Sequence, residues 1–258
     1  MTFPVFIDIG PLRLHPHFVF EALAYFIGFR LYLLTRRKGR IPVNQAFWVL
    51  VGATLGAAIG SKLLFLLEDP ARTLAHWNEW AYVMGGKTIV GGLLGGLIGV
   101  ELTKNWIGLR QSTGDDMVFP LITGMAIGRI GCFLTGLDDH THGTPTGWIT
   151  GVDFGDGVPR HPTQLYEMAF LGLLAVFLLV VKRGRMLCRW ELPEGALFQC
   201  FMFGYLSFRF LVDFIKPTPH VYLGLNNIQL ACLAGMAYYV SLMRQWPRRK
   251  GVPLHGKE

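Results

Sequence analysis

The chain has 258 residues, of which 52% are hydrophobic and only 16% charged. Apolar runs of roughly 17–22 residues recur along it, the length at which a helix crosses a hydrocarbon core about 30 Å thick. This excludes a soluble globular domain and an open sheet in lipid, and points to an all-α, polytopic membrane helical bundle whose net charge of +7 reports topology rather than nucleic-acid binding.

The opening stretch, MTFPVFIDIGPLRLHPH, has no basic run ahead of its apolar part and carries Asp8. No cleaved leader is expected from it. Seven spans follow, at 18–34, 46–67, 88–103, 117–134, 165–181, 196–214 and 228–243. The third is short and rich in glycine. Of the 24 Lys and Arg, 15 fall in the loops of one side (36–40, Lys104, Arg110, 182–189 and the tail from Arg244). Five fall on the other (Arg13, Arg72, Lys87, Arg160 and Lys216), and Arg30, Lys62, Arg129 and Arg209 lie within spans. The excess predicts a cytoplasmic C-terminus and an N-terminus outside. Residues 1–258 read as a single integral membrane domain. The longest connection, 135–164, falls on the outer face as a loop or small head region, and a loop of that length is more often functional than idle. The cysteines, Cys132, Cys188, Cys200 and Cys232, show no CxxC pairing, so neither a disulfide framework nor a zinc site follows from their spacing.

Six ionisable residues, Glu21, Lys62, Arg129, Glu167, Arg209 and Asp213, fall within about 8 Å of the outer interface at 1.5 Å per residue. Snorkelling and structural ion pairs explain any one of them, Lys62 in particular. Six groups from five helices at one depth point further, because intramembrane charges usually face a bundle interior or a wet cavity. Two arginines suit a lipid phosphate, which guanidinium binds bidentately while staying charged. After Arg129 comes DDHTHG (138–143). Its two carboxylates and two imidazoles suggest a metal, but DDHTH is not a ligand spacing typical of zinc and loop Asp and His are usually solvated. The segment PRHPTQLYE (159–167) then brings Gln164, Tyr166 and Glu167 to the start of the fifth span. By spacing alone this also reads as an acidic helix N-terminus with an interfacial tyrosine.

GRIGCF…G at 128–136, RHPTQLYE at 160–167 and YLSFRFLVDF at 205–214 resemble the signatures of the prolipoprotein diacylglyceryl transferase family. IGPLRLHPH (9–17), the paired glycines Gly91 and Gly92, and NNIQL (226–230) fit the same layout less specifically. The resemblance implies seven spans with the N-terminus outside and a multi-pass enzyme of the bacterial plasma (inner) membrane. It implies transfer of the sn-1,2-diacylglyceryl group of phosphatidylglycerol to a lipobox cysteine thiol of a preprotein. It implies no metal, no cofactor and no nucleic acid. By motif, Arg129, Arg209, Asp213, Glu167 and His161 are implied as catalytic. Gly91, Gly92, Gly136, Gln164, Tyr166, Tyr205 and Lys216 are implied as substrate-binding.

The match has departures. Val90 stands where the family often has a histidine, Cys132 where asparagine is common, and Leu137, followed by Asp138, where glutamate is common. Asp213 replaces a more usual glutamate, and Lys216 a more usual arginine. A valine takes no proton, so another base is needed for the thiol; His140, His142, His161 and Asp213 are the candidates. The mechanism implied has Arg129 and Arg209 binding the phosphate as it leaves, with Glu167 and Asp213 orienting them or relaying a proton. A family-related protein with a different acceptor, or a non-catalytic phospholipid binder, is the alternative. A transporter fits less well, since the charges share one depth and no pair of spans shows broken-helix repeat symmetry.

Overall fold

The structure is a computed structural model that describes residues 3–36, 41–187 and 192–246. In chain order the helices are α1 (Pro16–Thr35), α2 (Val43–Leu66), α3 (Pro70–Ala75), α4 (Trp80–Met84), α5 (Ile89–Trp106), α6 (Val118–Thr135), α7 (Thr163–Leu187), α8 (Ala196–Val212) and α9 (Asn227–Met243). Two small antiparallel pairs accompany them: β1 (Ile7–Ile9) with β2 (Leu12–Leu14), and β3 (Val152–Asp153) with β4 (Pro159–Arg160). A helix covers each of the seven apolar segments read from the sequence. Five helical stretches are long and apolar enough to cross a membrane: Pro16–Thr35, Val43–Leu66, Gly114–Asp139, Thr163–Gly184 and Ala196–Ile215. α9 is apolar but shorter. α5 runs three residues past the expected end at 103 and carries Glu101 and Lys104 in its last turns. The short helices α3 and α4 and the two strand pairs have no counterpart among the expected elements. The basic positions 37–40, 189 and 248–257, and Cys188, lie outside the described residues.

The chain divides into two compact units. The first comprises 1–36, 112–208 and 237–258. Its centre is the antiparallel pair α1 and α6, with α7 against α6. Pro16 opens α1 at a position where the missing N–H costs nothing. α6 is entered through a 3₁₀ turn at Gly114–Met117. Asp115 in that turn accepts hydrogen bonds from the backbone N–H of Gly195 (3.0 Å) and Phe198 (3.2 Å), and so caps the first turn of α8. α6 leaves through Gly136, at φ +75°, into a second 3₁₀ turn, Gly136–Asp139. Leu171, Leu178, Phe201, Met202 and Leu206 are fully buried. Phe18, Tyr25, Phe26 and Phe29 on α1 are exposed, as apolar side chains facing hydrocarbon should be.

The second unit comprises 37–111 and 209–236. Here α2 and α5 pack backbone to backbone. A Cβ at Gly56 would lie 2.3 Å from the Gly95 carbonyl oxygen, and one at Gly95 equally close to that of Gly56. Only glycine permits that approach, the device by which membrane helices gain dispersion contact without a hydrophobic driving force. Lys62 donates to the carbonyls of Gly85 and Gly86, at 2.5 and 3.1 Å, so its partners are backbone acceptors between α4 and α5. Asp69 caps α3 by accepting from the Arg72 N–H at 3.0 Å. At the start of α9, Asn226 and Gln229 form a reciprocal capping box. The Gln229 N–H donates to Asn226 Oδ1 at 2.7 Å, and the Asn226 N–H to Gln229 Oε1 at 2.9 Å.

Candidate active site

In the first unit, Arg129 sits in the second half of α6 with a buried side chain, about two turns before Gly136 breaks the helix. Burying a lone guanidinium in this setting is costly, so it needs a countercharge. Glu167 supplies it from the second turn of α7: Arg129 Nη2 lies 2.8 Å from Glu167 Oε2, with both side chains almost fully buried. Tyr205 of α8, also fully buried, donates to the other carboxylate oxygen, Oε1, at 2.7 Å. Three helices thus fix one charge pair. The Nε of Arg129 has no hydrogen-bond partner among the described residues. A buried donor left unmade costs about 1–3 kcal/mol.

The end of α6 turns back over this pair. Arg129 Nη1 approaches Cys132 Sγ at 3.8 Å. Asp139 Oδ1 lies 2.7 Å from His17 Nδ1, and Asp139 Oδ2 accepts from Thr141 Oγ1 at 2.6 Å. Thr141 in turn accepts from Gln164 Nε2 at 3.0 Å, and its carbonyl accepts from the Thr163 hydroxyl. Gln164, a residue read as substrate-binding, therefore ties the first turn of α7 to the loop after Asp139. Gly136 is confined by Phe3, whose Cβ would lie 2.7 Å from an added Cβ. His161 Nδ1 lies 3.2 Å from the Tyr166 hydroxyl, which also meets Thr150 Oγ1 at 2.7 Å. The backbone of His161 pairs with Gly143 and Thr144. Of the other histidines considered as bases, His140 is exposed in the left-handed region at φ 52°, and His142 Nδ1 meets the Gly143 carbonyl oxygen at 3.0 Å.

The loop between α6 and α7 is held by its own electrostatics. Arg160 Nη1 pairs with Asp156 Oδ1 at 2.7 Å. The hydrogen bond from Arg160, helped by the Val158 N–H, lowers the Asp156 carboxyl from its ordinary value near 3.8 to about 2.

In the second unit, Arg209 and Asp213 form a buried pair one helical turn apart, Nη2 to Oδ1 at 2.9 Å. Asp213 Oδ2 also accepts from Asn226 Nδ2 at 3.2 Å, and Asn226 reaches Thr218 Oγ1 at 3.0 Å. The capping box of α9 therefore also orients the carboxylate that holds Arg209. Burial, with Asp213 nearby, pushes the Glu68 carboxyl up, while Lys216 and Arg209 oppose the shift. Val90 is buried in the first turn of α5. A Cβ on Gly91 would lie 2.3 Å from the Gly60 carbonyl oxygen, whereas at Gly92 it would meet ordinary contacts at 3.9 Å.

The sequence sets arginines and carboxylates at one depth; the structure pairs Arg129 with Glu167 and Arg209 with Asp213. It adds residues that the reading did not single out: His17, Thr141, Asn226 and Gln229. For Asn226 and Gln229 a signal existed, since Asn-x-x-Gln ahead of an apolar run is a capping pattern. For His17 none did, as its partner Asp139 is more than a hundred positions away.

The family description "Prolipoprotein diacylglyceryl transferase" matches residues 4–244. A phosphatidylglycerol–prolipoprotein diacylglyceryl transferase of Bordetella bronchiseptica is 34% identical over 93% of this chain and 90% of its own. One of Aromatoleum aromaticum is 31% identical over 93% of this chain and 94% of its own. One of Nitratidesulfovibrio vulgaris is 34% identical over 86% and 83% respectively. With its buried arginine–carboxylate pairs and apolar helices, this chain belongs to the prolipoprotein diacylglyceryl transferase family.

Proposed function

We propose that this protein transfers the sn-1,2-diacylglyceryl group of phosphatidylglycerol to the lipobox cysteine of secreted preproteins. It works in the bacterial plasma membrane, as one integral domain with seven spans, the N-terminus outside and the loop at about 135–164 on the outer face. The observation that carries this reading is the buried set Arg129–Glu167–Tyr205 with its unmade Arg129 Nε donor. Such a guanidinium, held by a carboxylate that is itself held, is preorganised for a phosphate.

In the reaction, the acceptor sulfur attacks the glyceryl C3 carbon. The C–O bond to phosphate breaks, and the electron pair leaves on the phosphate of glycerol 1-phosphate. Arg129 stabilises the charge that grows on that oxygen. Glu167 orients Arg129, and Tyr205 orients Glu167. Arg209, held by Asp213, acts as a second cation of the reaction. His161, Tyr166, Gln164 and Gly136 shape the approach to the fifth span, and Lys216, Gly91 and Gly92 act in substrate binding. The thiol, with an ordinary pKa near 8.5, must lose its proton. The buried apolar Val90 supplies no base for that step, which favours a non-catalytic phospholipid binder as the second reading.

Product formation by the wild type separates the two, and Arg129→Ala tests the cation assigned to the reaction. As a transferase the variant folds and inserts but forms no lipidated peptide from phosphatidylglycerol. Transfer retained in folded Arg129→Ala removes Arg129 from the mechanism.

A further inference from the structure

His17, Cys132 and Asp139 bring an imidazole, a thiol and a carboxylate together, with one ligand atom from each all within 4.8 Å of one another. Three elements build the cluster. His17 lies in the first turn of α1, Cys132 in the last turn of α6, and Asp139 ends the 3₁₀ turn that follows. Gly131 lets α1 come this close, since a Cβ there would lie 2.7 Å from Phe20 Cβ and 3.3 Å from His17 Cα. Gly136 then turns the chain so that Asp139 returns over Cys132.

We propose that these three side chains hold a zinc-type divalent transition metal whose fourth position takes the acceptor thiol as thiolate. The second half of this statement rests on the transferase reading. One nitrogen, one sulfur and one oxygen are a donor set suited to zinc, and three protein ligands with one open position are the pattern of a catalytic rather than a structural site. Metal–ligand bonds of about 2.0–2.3 Å in a tetrahedron set donor atoms about 3.3–3.7 Å apart. The ligand atoms, all within 4.8 Å of one another, lie within about an ångström of that spacing. The His17–Asp139 contact of 2.7 Å opens by about half an ångström as the metal replaces the proton between them.

The surroundings hold the ligands in place. His17 Nε2 lies 3.7 Å from Glu21 Oε2, on the side of the ring away from Asp139. Asp139 Oδ2 is fixed by Thr141, which is fixed by Gln164. Partners of this kind orient metal ligands and raise their basicity. Cys132 is buried, while the His17 side chain keeps 39% of its surface exposed, which leaves one side of the cluster open. Cys132 also lies 3.8 Å from the Arg129 guanidinium, so a thiolate bound at the metal stands beside the group proposed to hold the phosphate.

The chemistry meets the need for a base. A coordinating thiol is deprotonated outright. The acceptor S–H gives its proton to water as the metal–sulfur bond forms. The sulfur then forms the C–S bond to C3 as the C–O bond to phosphate breaks, and the neutral thioether is released from the metal.

Cobalt binding to the purified full chain, stripped of metal with a chelator, tests this. We expect one equivalent of Co²⁺ to give a near-ultraviolet thiolate-to-metal band, absent in Cys132→Ser and weakened at least about tenfold in affinity in Asp139→Asn. A lipobox peptide strengthens the band by adding a second thiolate, and the same peptide with serine for cysteine does not. Circular dichroism confirms that the variants are folded. No band in the wild type, or the same band in Cys132→Ser, overturns the site. A band indifferent to the cysteine peptide overturns its open position. The readout needs no lipid, so it stands apart from the transferase reading: an intact cobalt response without transfer supports the site and refutes that reading. Transfer by stripped protein that binds no cobalt does the reverse.

Discussion

Glu167 carries two loads, the charge of Arg129 and the hydroxyl of Tyr205. Glu167→Gln keeps its shape and removes its charge, leaving a buried guanidinium without a countercharge. We expect a loss of about 3 kcal/mol in unfolding stability, at the low end for a broken buried pair, together with loss of transfer. Denaturant unfolding in detergent and a lipidation assay check this pair of effects. Tyr205→Phe removes one hydrogen bond to a charged group, worth about 1.5–3 kcal/mol, and leaves the ion pair in place. It should therefore lower the rate of transfer without abolishing it. In the loop between α6 and α7, Asp156 has its carboxyl lowered to about 2 by Arg160. A depressed carboxyl gives its stabilisation in full above the ordinary value near 3.8 and loses it as the pH falls through about 2. The Asp156 carboxyl carbon, followed by NMR, should titrate near 2 in the wild type and return toward the ordinary value in Arg160→Ala. An unchanged midpoint in that variant contradicts the pairing.

Helices α2 and α5 meet through their backbones, and this contact is set by glycine. Gly56→Leu places a branched side chain where even a Cβ is 2.3 Å from the Gly95 carbonyl oxygen. The helices must part, with a loss of about 1–3 kcal/mol or more, read as a lower unfolding midpoint in detergent. An unchanged midpoint contradicts the close packing. The seven helical segments were legible in the sequence because spanning lipid requires long apolar runs, and loops interrupt those runs with charge. The short elements α3, α4 and the strand pairs were not, since five or six residues carry no such run. The ion pair of Arg209 and Asp213 was legible as one helical turn. That of Arg129 and Glu167 was legible only as two charges at one depth; the packing of α6 against α7 decides that Arg129 meets Glu167. The cluster of His17, Cys132 and Asp139 was hidden for the same reason. DDHTH drew attention to neighbours in sequence, while the other two members of the cluster, His17 and Cys132, lie on two other turns of chain.

The chain as a whole is a helical membrane protein of the prolipoprotein diacylglyceryl transferase family. Val90 is apolar and buried, and Cys132 sits between His17 and Arg129. In the proposed reaction both positions bear on how the acceptor thiol loses its proton, so activity of the intact protein is the decisive quantity. The most direct measurement mixes the purified protein with phosphatidylglycerol and a lipobox peptide and follows the peptide mass. We expect a gain of one diacylglyceryl group, absent when the peptide cysteine is serine. No gain, under conditions in which a relative with histidine at the position of Val90 lipidates the same peptide, contradicts the transferase reading.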